Sequence, residues 1–135
     1  MTGRSLLIAL VVCLTAEVQA QVPTNFSGTW ELNTVRSQNI GMMSTMQDTV
    51  TVIQTPMELI VTDHSKFQGQ ESTRETRFDL TGKPVTNSGP MGDRNETVAK
   101  WSGPKLVVIW TADGAVAGTK VVRTETRSLS ADDKN

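Results

Sequence analysis

Beyond residue 20 the chain reads as short stretches in which apolar or threonine positions alternate with charged ones at a period of two, the signature of half-buried strands. Proline or glycine breaks the pattern about every 8 to 12 positions, the spacing of an all-β sandwich or barrel. Seven runs are read as strands: 28–32, 49–54, 58–62, 73–80, 96–101, 105–111 and 119–130. Between them, Thr55-Pro56-Met57, Thr81-Gly82-Lys83-Pro84, Ser102-Gly103-Pro104 and Ala112-Asp113-Gly114 have the composition of hairpin connections. In 105–111, Leu106, Val108 and Trp110 face one way and Val107 and Ile109 the other, so this strand is expected to be central or covered on both sides. In 73–80, Thr76, Phe78 and Leu80 oppose Glu75, Arg77 and Asp79, which leaves one side of that sheet wet. Short hairpins make the strands antiparallel, and a curled meander hides its edges by closing into a single up-and-down barrel.

Two segments depart from this pattern. In 35–45 and just beyond it, Ile40, Met42, Met43 and Met46 have the spacing of a short apolar helical face, although Gly41 weakens a helix there. This segment is read as a loop with one helical turn that caps one end of the barrel. Ser88-Gly89-Pro90-Met91-Gly92-Asp93-Arg94 is a second irregular loop. No internal repeat or linker divides the chain, so 21–135 is expected to be one domain.

The opening 1–20 is different in kind. Arg4 precedes the apolar run LLIALVVCL, and Val18-Gln19-Ala20 supplies the small residues of a cleavage site, which together read as a secretory signal peptide. The run is too short for a membrane-spanning helix of about 20 residues. Leu10-Val11-Val12-Cys13 resembles a bacterial lipobox, but Val12 stands where a small residue belongs, so cleavage after Ala20 is the expectation. The protein is then secreted or periplasmic and does not span a membrane. The sequons Asn25-Phe26-Ser27 and Asn95-Glu96-Thr97 matter only in a eukaryotic source.

Composition narrows the function further. A balance of 13 basic and 14 acidic side chains gives a net charge of −1 and no field that would recruit nucleic acid. One cysteine and one histidine exclude a zinc finger, a disulfide framework or cysteine–histidine catalysis within one chain.

Asn25-Phe26-Ser27-Gly28-Thr29-Trp30-Glu31-Leu32-Asn33 resembles the opening of the lipocalin and calycin barrels, whose first strand carries glycine, any residue, then tryptophan. With the hairpin Lys100-Trp101-Ser102-Gly103-Pro104-Lys105-Leu106-Val107 and the ending Arg127-Ser128-Leu129-Ser130-Ala131-Asp132, the chain looks like small secreted bacterial lipocalin-like proteins. The resemblance implies that Trp30 packs at the closed end of the barrel with a late-strand arginine against its face, for which Arg123 and Arg127 are both candidates. The sequence departs from the family in having no tyrosine and a short mature chain. Ala131-Asp132-Asp133-Lys134-Asn135 has turn composition without a returning strand, so either the chain is a fragment lacking its last strand or the barrel closes without it. An edge left at 119–130 would accept a strand from a second copy, giving a homodimer.

Asp63-His64-Ser65 holds the residue types of a hydrolase triad, but three consecutive residues point apart, and His64 is read as an exposed hairpin residue. Met42, Met43 and Met46 offer soft thioethers, yet no histidine or cysteine accompanies them; they read as a hydrophobic plug or an adaptable ligand gate. Trp101 and Trp110 flank one hairpin and serve either as core fillers or as a stacking wall for a ligand. The alternating charges around Arg74 and Arg77 and around Arg123 and Arg127 suit pairing on a solvated face, with an anion site as the alternative. No catalytic, cofactor or metal-binding set emerges. The reading is an exported barrel that binds a small apolar or amphipathic ligand through Met43, Met46, Trp101 and Trp110; the alternative is a structural or protein-interaction domain of the cell envelope. The exported protein is expected to begin at Gln21. An intact-mass measurement checks this, and a mass matching Cys13 with acyl chains reverses it.

Overall fold

The computed structural model describes residues 22–89 and 91–131; the signal peptide expected at 1–20, with Cys13, lies outside the described residues, as do residues 21, 90 and 132–135. Eight strands follow one another: β1 (Gly28–Glu31), β2 (Gln47–Gln54), β3 (Glu58–Phe67), β4 (Gln70–Asp79), β5 (Val85–Ser88), β6 (Arg94–Ser102), β7 (Lys105–Asp113) and β8 (Lys120–Arg127). Each pairs antiparallel with its sequence neighbour except across β4 and β5. The chain is therefore all-β, with two four-stranded sheets, β1-β2-β3-β4 and β5-β6-β7-β8, where the sequence pattern suggested one continuous ladder. β1 and β8 are each paired on one side only, so the edge expected at 119–130 is present as β8. Among the described residues no helix is long and apolar enough to cross a membrane.

The count corrects the seven runs read from the sequence. β5 escaped because it has only four residues, follows Pro84, and consists mostly of turn-forming types, Thr86-Asn87-Ser88. The β3–β4 hairpin is also longer than its alternation suggested. Phe67 pairs with Gln70 around a two-residue turn in which Gln68 (φ 49°) and Gly69 (φ 78°) both take the left-handed conformation. That is the requirement of a type I′ turn, whose usual first residue is asparagine, aspartate or glycine. The methionine segment contains the expected single turn, a 3-10 helix at Gly41–Thr45.

Alternation decides which side chains meet between the sheets. Val52, Leu59, Val61, Phe78, Leu80, Ala99, Leu106 and Val108 are buried there, as Thr76, Phe78 and Leu80 on one side of β4 anticipated. β7 is central, but its second face is open, with Ile109 40% exposed. The segment before β1 crosses the apolar end, where Phe26 stacks parallel on Trp101 with centroids 6.1 Å apart. Gln54 holds it there: its Oε1 accepts from the Phe26 N–H (2.8 Å), and its Nε2 donates to the Thr24 carbonyl (2.8 Å). Burying a phenylalanine contributes about 1.5–3 kcal/mol.

A second carboxamide joins the sheets. The Arg77 N–H of β4 donates to Asn87 Oδ1 (3.0 Å), while Asn87 Nδ2 donates to the Arg77 carbonyl (2.8 Å) and to Thr97 Oγ1 (2.9 Å). Asn87 thus presents to β4 one acceptor and one donor, as a neighbouring strand would. Replacing it by alanine leaves a part-buried N–H and carbonyl without their partner, at a cost of up to about 1–3 kcal/mol each. Asn87→Ala is expected to lower stability by about 2–4 kcal/mol in chemical denaturation. A loss below about 1 kcal/mol shows that the seam does not depend on this amide.

Candidate functional site

Strand register arranges the inward side chains in rows. Nearest the apolar end, Gln54, Leu59 and Phe78 lie abreast in one sheet and Trp101, Leu106 and Arg127 in the other. The next row holds Val52, Val61 and Thr76 against Ala99, Val108 and Glu125. The third places Val50, Asp63 and Arg74 against Thr97, Trp110 and Arg123, and the last places Asp48, Ser65 and Ser72 against Asn95, Ala112 and Val121. Polarity therefore rises along the axis between the sheets, from Leu59 and Leu106 to Asp48 and Asn95.

A cavity of about 360 Å³ opens between the sheets, with Phe26, Trp30, Val52 and Val61 on one wall and Trp110 and Leu129 on the other. Asp63, Arg74, Arg123, Glu125 and Arg127 bring charge to the same space. Trp110 organises its wall: its ring meets Phe78 edge-on at 5.6 Å, Arg123 lies over its face at 4.9 Å, and its Nε1 donates to Glu125 Oε2 (3.2 Å). Glu125 also accepts from Arg127 (2.7 Å), whose guanidinium stacks on Phe78 at 5.0 Å. The late-strand arginines thus cover Trp110 and Phe78, where the family resemblance pointed to Trp30. Trp30 is half-buried on the cavity wall, with its Nε1 donating to the Phe26 carbonyl (2.9 Å).

Of the four ligand-binding residues expected from the sequence, Met43, Met46, Trp101 and Trp110, it is Trp110 that lines this cavity. Met43 and Met46 line an adjoining hollow of about 480 Å³ with Asp48, Ser65 and Ser72, and the two spaces share Asp63 and Arg74. Trp101 lines neither and packs on Phe26 at the apolar end. His64 is exposed, its Nδ1 3.0 Å from Thr73 Oγ1, while Asp63 and Ser65 on either side face the interior, so the three do not converge. Of the four arginines weighed as an anion site, Arg77 lies outside, paired with Glu58 (3.2 Å) and Glu75 (2.8 Å); Arg74, Arg123 and Arg127 turn inward.

The inward polar residues Asp48, Asp63, Arg74, Asn95 and Glu125 were not singled out from the sequence as a set. The signal was the alternation itself. Asp63 lies two residues beyond Val61 but past the end of the strand read at 58–62, and Arg74, two before Thr76 on the face read as internal, belongs to the charge alternation read as pairing on a solvated face. Asn95, only 8% exposed, belongs to the interior and does not present its sequon at the surface.

No protein-family model matches this sequence, and no curated protein is significantly similar to it.

Asp48 is the most perturbed group of the site. Burial first, then its hydrogen bond to Asp63 and the Asp63 charge, raise it from 3.8 to about 6, and Arg74 only partly offsets them. Folded Asp48 therefore keeps its proton to about pH 6 while the unfolded chain releases it near 3.8, so this group lowers stability as pH rises between those values. Asp79 and Asp113, on the surface, are shifted down by hydrogen bonds from Thr81 and Lys120, and the stability they contribute is lost as pH falls. Comparing a variant with the wild type isolates Asp48. Asp48→Asn is expected to raise the melting temperature by about 2–5 °C at about pH 8, with the gain vanishing toward about pH 4. Thermal melts across that range check it, and a difference independent of pH refutes the titration.

Proposed function

We propose that the protein is an exported, non-enzymatic, lipocalin-like barrel that binds a small apolar or amphipathic molecule between its sheets. The observation that carries this reading is the cavity of about 360 Å³, walled by both sheets and lined with aromatic and branched side chains beside a few charged ones. Pockets for small molecules have this size and this mixture. Two four-stranded antiparallel sheets that enclose one space, lined from β1 to β4 and from β7 and β8, support the barrel reading, with Asn87 bridging β4 and β5 and the remaining gap between β1 and β8. Such a barrel holds side chains or one compact guest. The leader read in 1–20 supports a secreted or periplasmic location.

Met43 and Met46 serve in this reading as a flexible rim, since thioether side chains adapt to irregular guests. The second reading, an interaction domain that recruits a second copy, draws on β8, an edge strand with Val121 58% and Val122 61% exposed. Titration with neutral, fluorescent N-phenylnaphthylamine separates the two. One-to-one binding is expected, weakened about tenfold in M43D/M46D because charge is placed against an apolar guest. Unchanged affinity in that variant discards the rim, and no binding with the fold intact by circular dichroism favours the interaction domain.

A further inference from the structure

We infer that the ligand carries an anionic group, seated between Arg74 and Arg123, with a hydroxyl or N–H donor beside it for Asn95. The inference rests on the binding reading above and specifies the chemistry of the guest. Next to the main cavity, and sharing Arg74, Trp110 and Arg123 with it, lies a hollow of about 230 Å³ also lined by Asp93 and Asn95. Two of its polar atoms are fully buried without a hydrogen-bond partner: Arg74 Nε and Asn95 Oδ1. Asn95 as a whole is 92% buried, given its 8% exposure, so its orphan oxygen is not an incidental surface group, and Arg74 is half-buried beside it. Leaving such atoms unpaired is costly, and a bound group that pairs both removes that cost.

The charge balance has the same sense. Glu125 serves two guanidiniums, holding Arg127 at 2.7 Å and Arg123 only at 4.0 Å, so Arg123 is weakly neutralised. Its side chain, 66% exposed, lies over Trp110 as an arm at the opening. Asp63 and Asp48 face Arg74 from β3 and β2, but among the described residues neither forms an ion pair with it within 4.0 Å. Asp93 is the one carboxylate lining the hollow itself, against two guanidiniums. Arginine matches a carboxylate, sulfonate or phosphate with charge-assisted, geometrically specific hydrogen bonds. Asn95 Oδ1 can only accept, which requires the neighbouring donor on the guest. The apolar body then lies along Trp30, Val52 and Val61.

The test compares neutral N-phenylnaphthylamine with anilinonaphthalene sulfonate, which has a similar body, an N–H and a fixed negative charge. The sulfonate is expected to bind about tenfold more tightly, the scale of a charge-assisted contact. The ratio of the two affinities should fall to near one in R74M/R123M and stay unchanged in R77M, which removes an arginine on the outer face. Equal affinities in the wild type, or a preference that survives in R74M/R123M, overturns the anion site while leaving the cavity reading intact. Binding of neither probe removes both. If R74M/R123M does not fold, displacement of the neutral probe from wild-type protein decides: salicylate should compete at least about tenfold better than uncharged salicylamide. Equal competition overturns the proposal.

Discussion

The two sheets meet at the edge of β4 that no strand pairs, opposite β3, and the carboxamide of Asn87 supplies what a strand there would have supplied. A ladder partner offers one N–H and one carbonyl; Asn87 offers Nδ2 and Oδ1 to the backbone of Arg77. A side chain reaches farther than a backbone, so the sheets are joined here without being merged, and their inner faces can separate toward the polar end. The cavity depends on that separation. The alternative, a ladder continued through β5, would bring the facing rows closer and leave less room among Val61, Arg74 and Trp110.

Gln54 repeats the device at the apolar end. Its amide pairs with the Phe26 N–H and the Thr24 carbonyl, so an extended segment lies across the bottom of the core without joining either sheet. Phe26 is thereby fixed against Trp101, and the interior is closed by packed rings at one end and left to Asp48, Ser65 and Asn95 at the other. Charge within the apolar part is confined to β8, where Glu125 and Arg127 neutralise each other and the Arg127 guanidinium lies over the Phe78 ring. A charged pair so placed is compatible with burial because stacking and hydrogen bonding replace much of the lost solvation.

Much of this order was legible in period-two alternation. It located the β7 core through Leu106, Val108 and Trp110, and it placed Phe78 inside and Arg77 outside. It failed where local composition and tertiary role diverge. Thr86-Asn87-Ser88 has the composition of a turn because its central residue is selected for a hydrogen-bonding task across a seam, which no local pattern records. Gln68-Gly69 is a weak hairpin signal, and missing it ended β3 short of Asp63 and hid that residue's inward position. The triplet Arg123, Glu125, Arg127 has the pattern of a wet face, and only the position of β8 beside the cavity turns it inward. The candidate site was therefore half visible: Met43, Met46 and Trp110 by type and Arg74, Arg123 and Arg127 as the alternative anion site, but Asp63 and Glu125 only through topology.

The order of the strands carries a consequence for how the chain reaches this state. Every ladder joins strands adjacent in sequence, so apart from the long connection between β1 and β2 the closures required are those of short loops, and their entropic cost is low for an all-β chain. The bond from Thr24 Oγ1 to the Pro104 carbonyl is of another order, spanning 80 positions. With the neighbouring stack of Phe26 on Trp101, it concentrates long-range ordering in a few residues ahead of β1. Those residues carry a large share of the distant closure entropy of the fold, although they belong to no strand.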